Sequence, residues 1–388
     1  MSDPKRNGKF DYQVSTIEKK KAPVVAFPFV GDSIGGSYVS AMLLIRALLD
    51  EGCMVKIYVH HSGLLTDWFT RRNIRFELVQ PLISQKILKI PGGKTYQMCA
   101  FLFSALWMIS RDKVTVVHGN DSRIHRTWLL LTKIMGRRYI WHQRTRYYES
   151  RRFNALIPAA DRVVAISDYV RSTLPDSIRS NVLVVQNPVA SRDEDGFQEA
   201  QPEDRSCFRL VCVGALKKQK RVTDAILLLR ELRKSFGWNP SLVLYVKADE
   251  FSLTDLRKMA ERLDVEPQVE IREFSESFHH ELPKFDVAVC PAENEGSGRV
   301  LLEAMSAGVV VVASRSGGHT ELISHRKTGF LFDLGDVAGC GELVYQIYRR
   351  GSDYREIRSA ALTYLRRNHS IAQHSNEMMG IYESVCTK

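Results

Sequence analysis

The chain has 388 residues, of which 44% are hydrophobic, 26% charged and 9% aromatic, enough for two domains that each bury a core. This composition excludes a disordered tail, a collagen-like repeat and a small disulfide scaffold. The net charge of +11 is concentrated in one half: residues 1–190 carry 28 Lys and Arg against 14 Asp and Glu, whereas residues 211–388 carry 24 of each. A basic half implies an anionic partner, whether nucleic acid, anionic lipid headgroups or a phosphorylated substrate. The seven cysteines are scattered without a CxxC or a cysteine-histidine cluster, so they read as reduced thiols rather than zinc ligands or bridges. The polar first twenty residues carry no signal-peptide pattern, and the longest apolar run, Met98 to Ile109, is too short to span a bilayer. A soluble, cytoplasmic chain is expected.

In chain order, the apolar run 23–29 predicts a first strand, followed by a glycine-containing turn. Tyr38, Ala41, Met42, Ile45, Leu48 and Leu49 then fall on one helical face, and Gly52 suits the stop. Further strands are predicted at 53–59, 76–79, 114–118, 139–142, 163–167 and 182–186. The segment 190–204 is acidic, contains Gly and Pro and lacks an apolar period, which marks an exposed connector. Beyond it, strands are predicted at 208–214, 241–246, 269–271, 286–290, 309–313 and 329–332. Alternation of strands and helices at this spacing argues for two parallel, doubly wound sheets with helices on both faces. The expected division is 1–190, a linker over 191–207, 208–368, and a last helix within 369–388. In such sheets ligands sit beyond the carboxyl ends of the strands, so the cleft between the domains is the default site.

Two loops stand out. Residues 31–37, Gly-Asp-Ser-Ile-Gly-Gly-Ser, follow a strand and open a helix, where backbone N–H groups can cradle a phosphate. The spacing is not GxGxxG, and no acidic residue ends the next strand, which argues against a nicotinamide site. The second is 290–308, Cys-Pro-Ala-Glu-Asn-Glu-Gly-Ser-Gly-Arg-Val-Leu-Leu-Glu-Ala-Met-Ser-Ala-Gly. Here a strand ends, a Gly-Ser-Gly loop carries Glu295, and an apolar helix starting near Arg299 carries Glu303 between Leu302 and Ala304. A charge in that setting either faces a polar cavity or lies on a surface stripe, with Glu295 as a capping charge. In the first case two carboxylates bracket a ligand whose phosphates rest on the N–H groups of residues 296–300.

The Glu295-x7-Glu303 pattern resembles the signature of the retaining glycosyltransferases of family 4, with the GT-B fold of two Rossmann-like doubly wound domains facing an interdomain cleft. Ser314–Ile323 (SRSGGHTELI), Ala160–Leu174 (ADRVVAISDYVRSTL), Val184–Val189 (VVQNPV) and Leu210–Leu232 are similar to further family segments in the same order. The resemblance implies that Gly35 and Gly36 bring amides to the donor diphosphate from the N-domain, and that Gly214 lies beside Lys220, which neutralises the phosphates. It implies that Glu295 positions the donor sugar, that Gly296, Ser297, Gly298, Arg299 and Val300 contact sugar or diphosphate, and that Glu303 holds the ribose. His118 matches a histidine near the reacting face of the sugar. Three departures stand out: Ala215 replaces the usual arginine, Arg221 replaces the glycine after the lysine, and Tyr245–Glu250 (YVKADE) replaces a glycine-rich strand end, where Lys247 could approach the nucleotide. Lys217 or Lys218 could supply the missing charge, although a lysine does not reproduce a guanidinium fork.

On this resemblance the chain is expected to be a metal-independent hexosyltransferase that moves sugar from a nucleotide-diphospho-sugar to a hydroxyl of a glycan or lipid-linked acceptor in cell-surface polysaccharide assembly. No cofactor is expected, since the nucleotide-sugar is a substrate, and Asp193–Asp195 read as linker charge rather than as a metal motif. Arg144, Arg146, Arg151 and Arg152 are candidates for the acceptor or for an anionic membrane at the inner face, and the run Met98 to Ile109 is read as a core helix or an interfacial segment. The aromatics among the arginines form no nucleic-acid motif. The alternatives are a non-catalytic sugar- or nucleotide-binding relative at the membrane surface and a sugar-nucleotide epimerase on the same fold.

Overall fold

The computed structural model describes residues 22–32, 34–79, 93–190, 208–275 and 278–387; the expected linker 191–207, with Asp193–Asp195, lies outside them. The first sheet is seven-stranded and parallel, built from β1 (Val24–Phe29), β2 (Met54–Val59), β3 (Glu77–Leu78), β4 (Val116–Gly119), β5 (Arg138–Gln143), β6 (Arg162–Ala165) and β7 (Val182–Val184), in the order β3-β2-β1-β4-β5-β6-β7. The second is six-stranded and parallel, with β8 (Arg209–Ala215), β9 (Ser241–Lys247), β10 (Val269–Glu273), β11 (Val287–Cys290), β12 (Val310–Ser314) and β13 (Phe330–Phe332) in the order β10-β9-β8-β11-β12-β13. This is the expected pair of doubly wound sheets. Every predicted strand is present, with its ends moved by a few residues. β4 starts two residues later than predicted, and just before it the Thr115 hydroxyl accepts from the Val24 N–H at 2.9 Å and donates to the Val24 carbonyl at 3.1 Å.

The helices follow the same physical logic. In the helix Val222–Phe236, Val222, Ala225, Ile226, Leu228, Leu229 and Leu232 are buried on one face, and Gly237, at φ 63°, ends it in a left-handed C-cap. Each such leucine stabilises the domain by about 1.5–3 kcal/mol through burial. The last helix, Ile371–Cys386, returns to the first sheet, where Met378, Ile381, Tyr382 and Val385 join a core with Val25, Phe27, Phe29, Leu44 and Ile45. The helix before it, Arg355–Asn368, remains on the second domain, placing Ala361 and Leu365 among Leu301, Leu302 and Met305.

In both sheets the chain order reverses at the centre, between β1 and β4 and between β8 and β11. Strand carboxyl ends at such switch points leave a crevice that loops can line. The segments after β1, β8 and β11 carry Gly35, Gly36, Lys220, Glu295 and Glu303, His118 and Gly214 lie within β4 and β8, and the four singled-out arginines follow β5.

Candidate active site

The segment after β11 is shaped by glycines for a definable reason. Gly298 turns the chain into the helix Arg299–Ser306 at φ 63°, and a Cβ there would press on Leu301 and His319. The loop after β12 lies on it backbone to backbone: a Cβ at Gly317 would collide with the Glu295 carbonyl and one at Gly318 with the Gly296 carbonyl, while the Gly318 N–H donates to the Glu295 carbonyl at 2.8 Å. Two loops are thereby locked together beneath Glu295.

The Glu295 carboxylate accepts from Lys220 Nζ at 2.5 Å. Burial alone would raise its pKa, but the Lys220 ammonium, with His319 alongside, outweighs that and holds it below the usual carboxylate value. Burial would likewise lower Lys220, and Glu295 keeps it above its usual value. The two are an ionised pair at neutral pH. Gly214 forms the floor, where a Cβ would lie 3.6 Å from Lys220 Cβ. Arg221, standing where the family pattern has glycine, adopts a left-handed conformation at φ 48° and ties its Nε to Asp224 at 2.8 Å. The turn is preserved at a backbone cost of about 1–2 kcal/mol. Near Ala215, Lys217 pairs with Asp249 at 3.4 Å, and Lys218 and Lys247 are exposed.

Glu303 is held differently. Its carboxylate pairs with Arg299 Nε at 2.7 Å, one helical turn back, and lies 3.7 Å from His279 Nδ1. Burial pushes its pKa above the usual value despite Arg299. Arg299 also reaches the other domain, donating from Nη1 to Ser40 Oγ at 2.9 Å and to the Pro188 carbonyl at 3.3 Å. A Cβ on Gly36 would sit 3.2 Å from Arg299 Cδ, whereas Gly35 is exposed with open space around it. Val300 follows Arg299 in the first turn of the helix, half-buried against the core.

The N-terminal wall contains residues that sequence reasoning missed. Asn120, beyond β4, and Asn187, beyond β7, both accept from Arg144: Nε to Asn120 Oδ1 at 2.8 Å and Nη1 to Asn187 Oδ1 at 2.7 Å. Asn187 then donates to Ser297 Oγ at 2.7 Å. Ser167 donates to the Gly296 carbonyl at 2.6 Å, and Glu321 accepts from the backbone N–H groups of Asp168 at 2.8 Å and Tyr169 at 2.5 Å. The cleft is closed by these contacts. Asn187 was signalled by the Gln-Asn-Pro segment and Glu321 by the Gly-Gly loop; Asn120 follows His118 by two residues and carried no pattern of its own.

Two expectations need correction. His118 is wholly buried, and both ring nitrogens are engaged, Nδ1 with the Tyr382 hydroxyl at 2.6 Å and Nε2 with His142 Nδ1 at 3.0 Å. It has no nitrogen left to offer a sugar. Arg144 is 6% exposed and so cannot touch a membrane surface, while Arg151 and Arg152 are exposed and Arg146 lies 5.6 Å over the Tyr148 ring. The run Met98 to Ile109 belongs to the helix Gly93–Arg111, which buries Ala105, Met108 and Ile109 in the core while Met98, Phe103 and Trp107 face outward. No helix among the described residues is long and apolar enough to cross a membrane, and no group of three or more His, Cys, Asp or Glu among them could hold a metal ion.

Two family models match the chain in tandem: Glycosyltransferase Family 4 over residues 34–192 and Glycosyl transferases group 1 over residues 191–363. The chain is 27% identical over 270 residues to N-acetyl-alpha-D-glucosaminyl L-malate synthase of Bacillus anthracis, a match covering 68% of this chain and 65% of that one. It is 33% identical over 152 residues to D-inositol 3-phosphate glycosyltransferase of Pseudarthrobacter chlorophenolicus, covering 37% and 35%. The chain thus spans less than two thirds of the length of these curated relatives. Among solved structures, a glycosyltransferase of Rickettsia africae superposes with a TM-score of 0.78 at 16% identity, covering 94% of this chain and 98% of that one. Anabaena HepE in complex with UDP gives 0.74 at 16% identity, covering 93% and 100%.

Proposed function

We propose that the chain, matched by a Glycosyltransferase Family 4 model over residues 34–192 and a Glycosyl transferases group 1 model over residues 191–363, is a retaining, metal-independent hexosyltransferase on the GT-B fold. It takes a nucleotide-diphospho-sugar, with UDP as the first nucleotide to try given the HepE complex, and delivers the sugar to an acceptor hydroxyl. The observation that carries this reading is the pair of half-buried carboxylates, Glu295 and Glu303, each held by its own cation on one loop and helix between the two domains.

In this reading Glu303 turns to the nucleotide ribose and Glu295 to the sugar hydroxyls. The departing diphosphate meets Lys220, the Arg299 guanidinium and the first amides of the helix Arg299–Ser306, whose N-terminal partial charge favours anions. Cross-domain contacts at Ser167, Asn187 and Glu321 exclude water while the acceptor oxygen approaches the anomeric carbon. No cofactor takes part.

We place the enzyme in the cytoplasm, peripheral on an anionic inner membrane face and active in surface-polysaccharide assembly. The outward residues Phe103 and Trp107 on one helix, and Leu130 and Ile134 on the helix packed beside it, together with Arg126, Lys133, Arg151 and Arg152, support this. The test is a panel of UDP-, GDP-, dTDP- and ADP-sugars, read by thermal shift and by diphosphate release, with wild type and Glu303→Ala. One nucleotide class should stabilise wild type and not the variant, with slow release of diphosphate. Stabilisation by none would favour a non-catalytic binding relative, and conversion of the sugar without release would favour an epimerase.

A further inference from the structure

We propose that Arg144 is the seat of an anionic group, a phosphate or a carboxylate, carried by the acceptor; this rests on the transferase reading above and specifies its second substrate. The guanidinium is buried and fixed by two neutral amide oxygens, Asn120 Oδ1 and Asn187 Oδ1, while Nη2 is buried without a hydrogen-bond partner. No carboxylate pairs with it among the described residues. An interior cation normally has a counter-charge, because stripping its water without one is costly, and burial drives the guanidinium down to about 9.

Its surroundings point to a ligand rather than to structure alone. His142 and His374 lie within electrostatic reach of Arg144, and each has a buried Nε2 without a partner. His374 Nδ1 bonds the Gln186 carbonyl at 2.7 Å, which puts the proton on Nδ1 and leaves Nε2 a lone pair for a ligand hydroxyl. An anion with a neighbouring hydroxyl, such as a hydroxy acid or a polyol phosphate, matches that set.

Position favours the acceptor over the donor. The donor phosphates have Lys220 and Arg299 on the C-terminal side, with Arg299 also within electrostatic reach of Arg144. Arg144 lies against the sugar-binding loop instead: its carbonyl would be 3.3 Å from a Cβ on Gly296, and Asn187 links its guanidinium to Ser297. An anion held there fixes the acceptor next to Glu295 without competing for the diphosphate site.

The test uses the full chain with inorganic phosphate as probe, titrated at constant ionic strength against chloride and followed by thermal shift, with and without saturating UDP. Phosphate should stabilise wild type and Lys220→Met, also when UDP is present. Arg144→Gln should weaken the apparent phosphate affinity at least tenfold, and Arg144→Lys, which keeps the charge and loses the fork, should fall between, including in the event that the glutamine variant does not fold. Phosphate stabilisation that survives in Arg144→Gln, or that is abolished by Lys220→Met or by UDP, overturns the proposal. A tenfold loss of UDP affinity in Arg144→Gln would assign the residue to the donor and overturn it too. Failure of any nucleotide to bind wild type defeats the transferase reading by a separate readout.

Discussion

On the C-terminal wall of the cleft each carboxylate faces a cation, Glu295 with Lys220 and Glu303 with Arg299; on the N-terminal wall Arg144 is surrounded by amides and imidazoles and pairs with no described carboxylate. The first arrangement is complete without substrate, and binding has to rearrange it, with Lys220 sharing itself between Glu295 and a phosphate. The second lacks a charge that only a ligand brings. One wall meets a charged donor with cations already paired to carboxylates, the other offers a cation with no described carboxylate beside it.

That contrast can be broken in several places. The largest effect is expected from Glu295→Gln, which should lower the turnover rate about 100- to 1,000-fold, measured as diphosphate release at saturating donor with the fold intact by circular dichroism. Lys220→Met leaves Glu295 ionised without its partner and should cost about 2–3 kcal/mol in urea unfolding, under the range for fully buried pairs because water still reaches the lysine. The double variant Lys220→Met with Glu295→Gln should recover most of that loss. Glu321→Gln weakens two charge-assisted cross-domain bonds and should cost about 1–2 kcal/mol of closure, visible as a larger radius in small-angle scattering and a raised donor KM.

Acidification separates the two glutamates. Glu295 titrates below its unfolded value, so its stabilising contribution is present above about pH 4.5 and is lost as pH falls through the folded pKa. Glu303 titrates above its unfolded value, so its contribution has the opposite sign, present at low pH and lost as pH rises through the folded pKa. Melting temperatures between about pH 3.5 and 6.5 should therefore fall less steeply on the acid side in Glu295→Gln and more steeply in Glu303→Gln. Equal slopes in both variants would mean that the pairs are not distinct.

The sequence was informative wherever the chemistry is local. Strand positions followed from apolar runs, because parallel strands buried on both faces read continuously. The Glu303–Arg299 pair also lay within reach of sequence reasoning as an i,i+4 contact. Only the membrane half of the reading of Arg144 fails, because a charged residue is assumed to lie outside until its partners are known, and those partners, Asn120 and Asn187, come from other strand ends. His118 was misread for a similar reason: what occupies it, Tyr382, lies 264 positions away on a helix that crosses back. Contacts that depend on topology leave no periodic trace.

That crossing helix also bears on the order in which the molecule assembles. Met378, Ile381, Tyr382 and Val385 complete a core whose first strand is Val24–Phe29, so the N-terminal domain leaves the ribosome with an apolar flank uncovered while the whole second domain is being synthesised. At roughly 5–20 residues per second that interval is on the order of ten seconds or more, during which the flank is open to chaperones and to other nascent chains. The C-terminal domain, whose own cores close within residues 189–365, has no such wait.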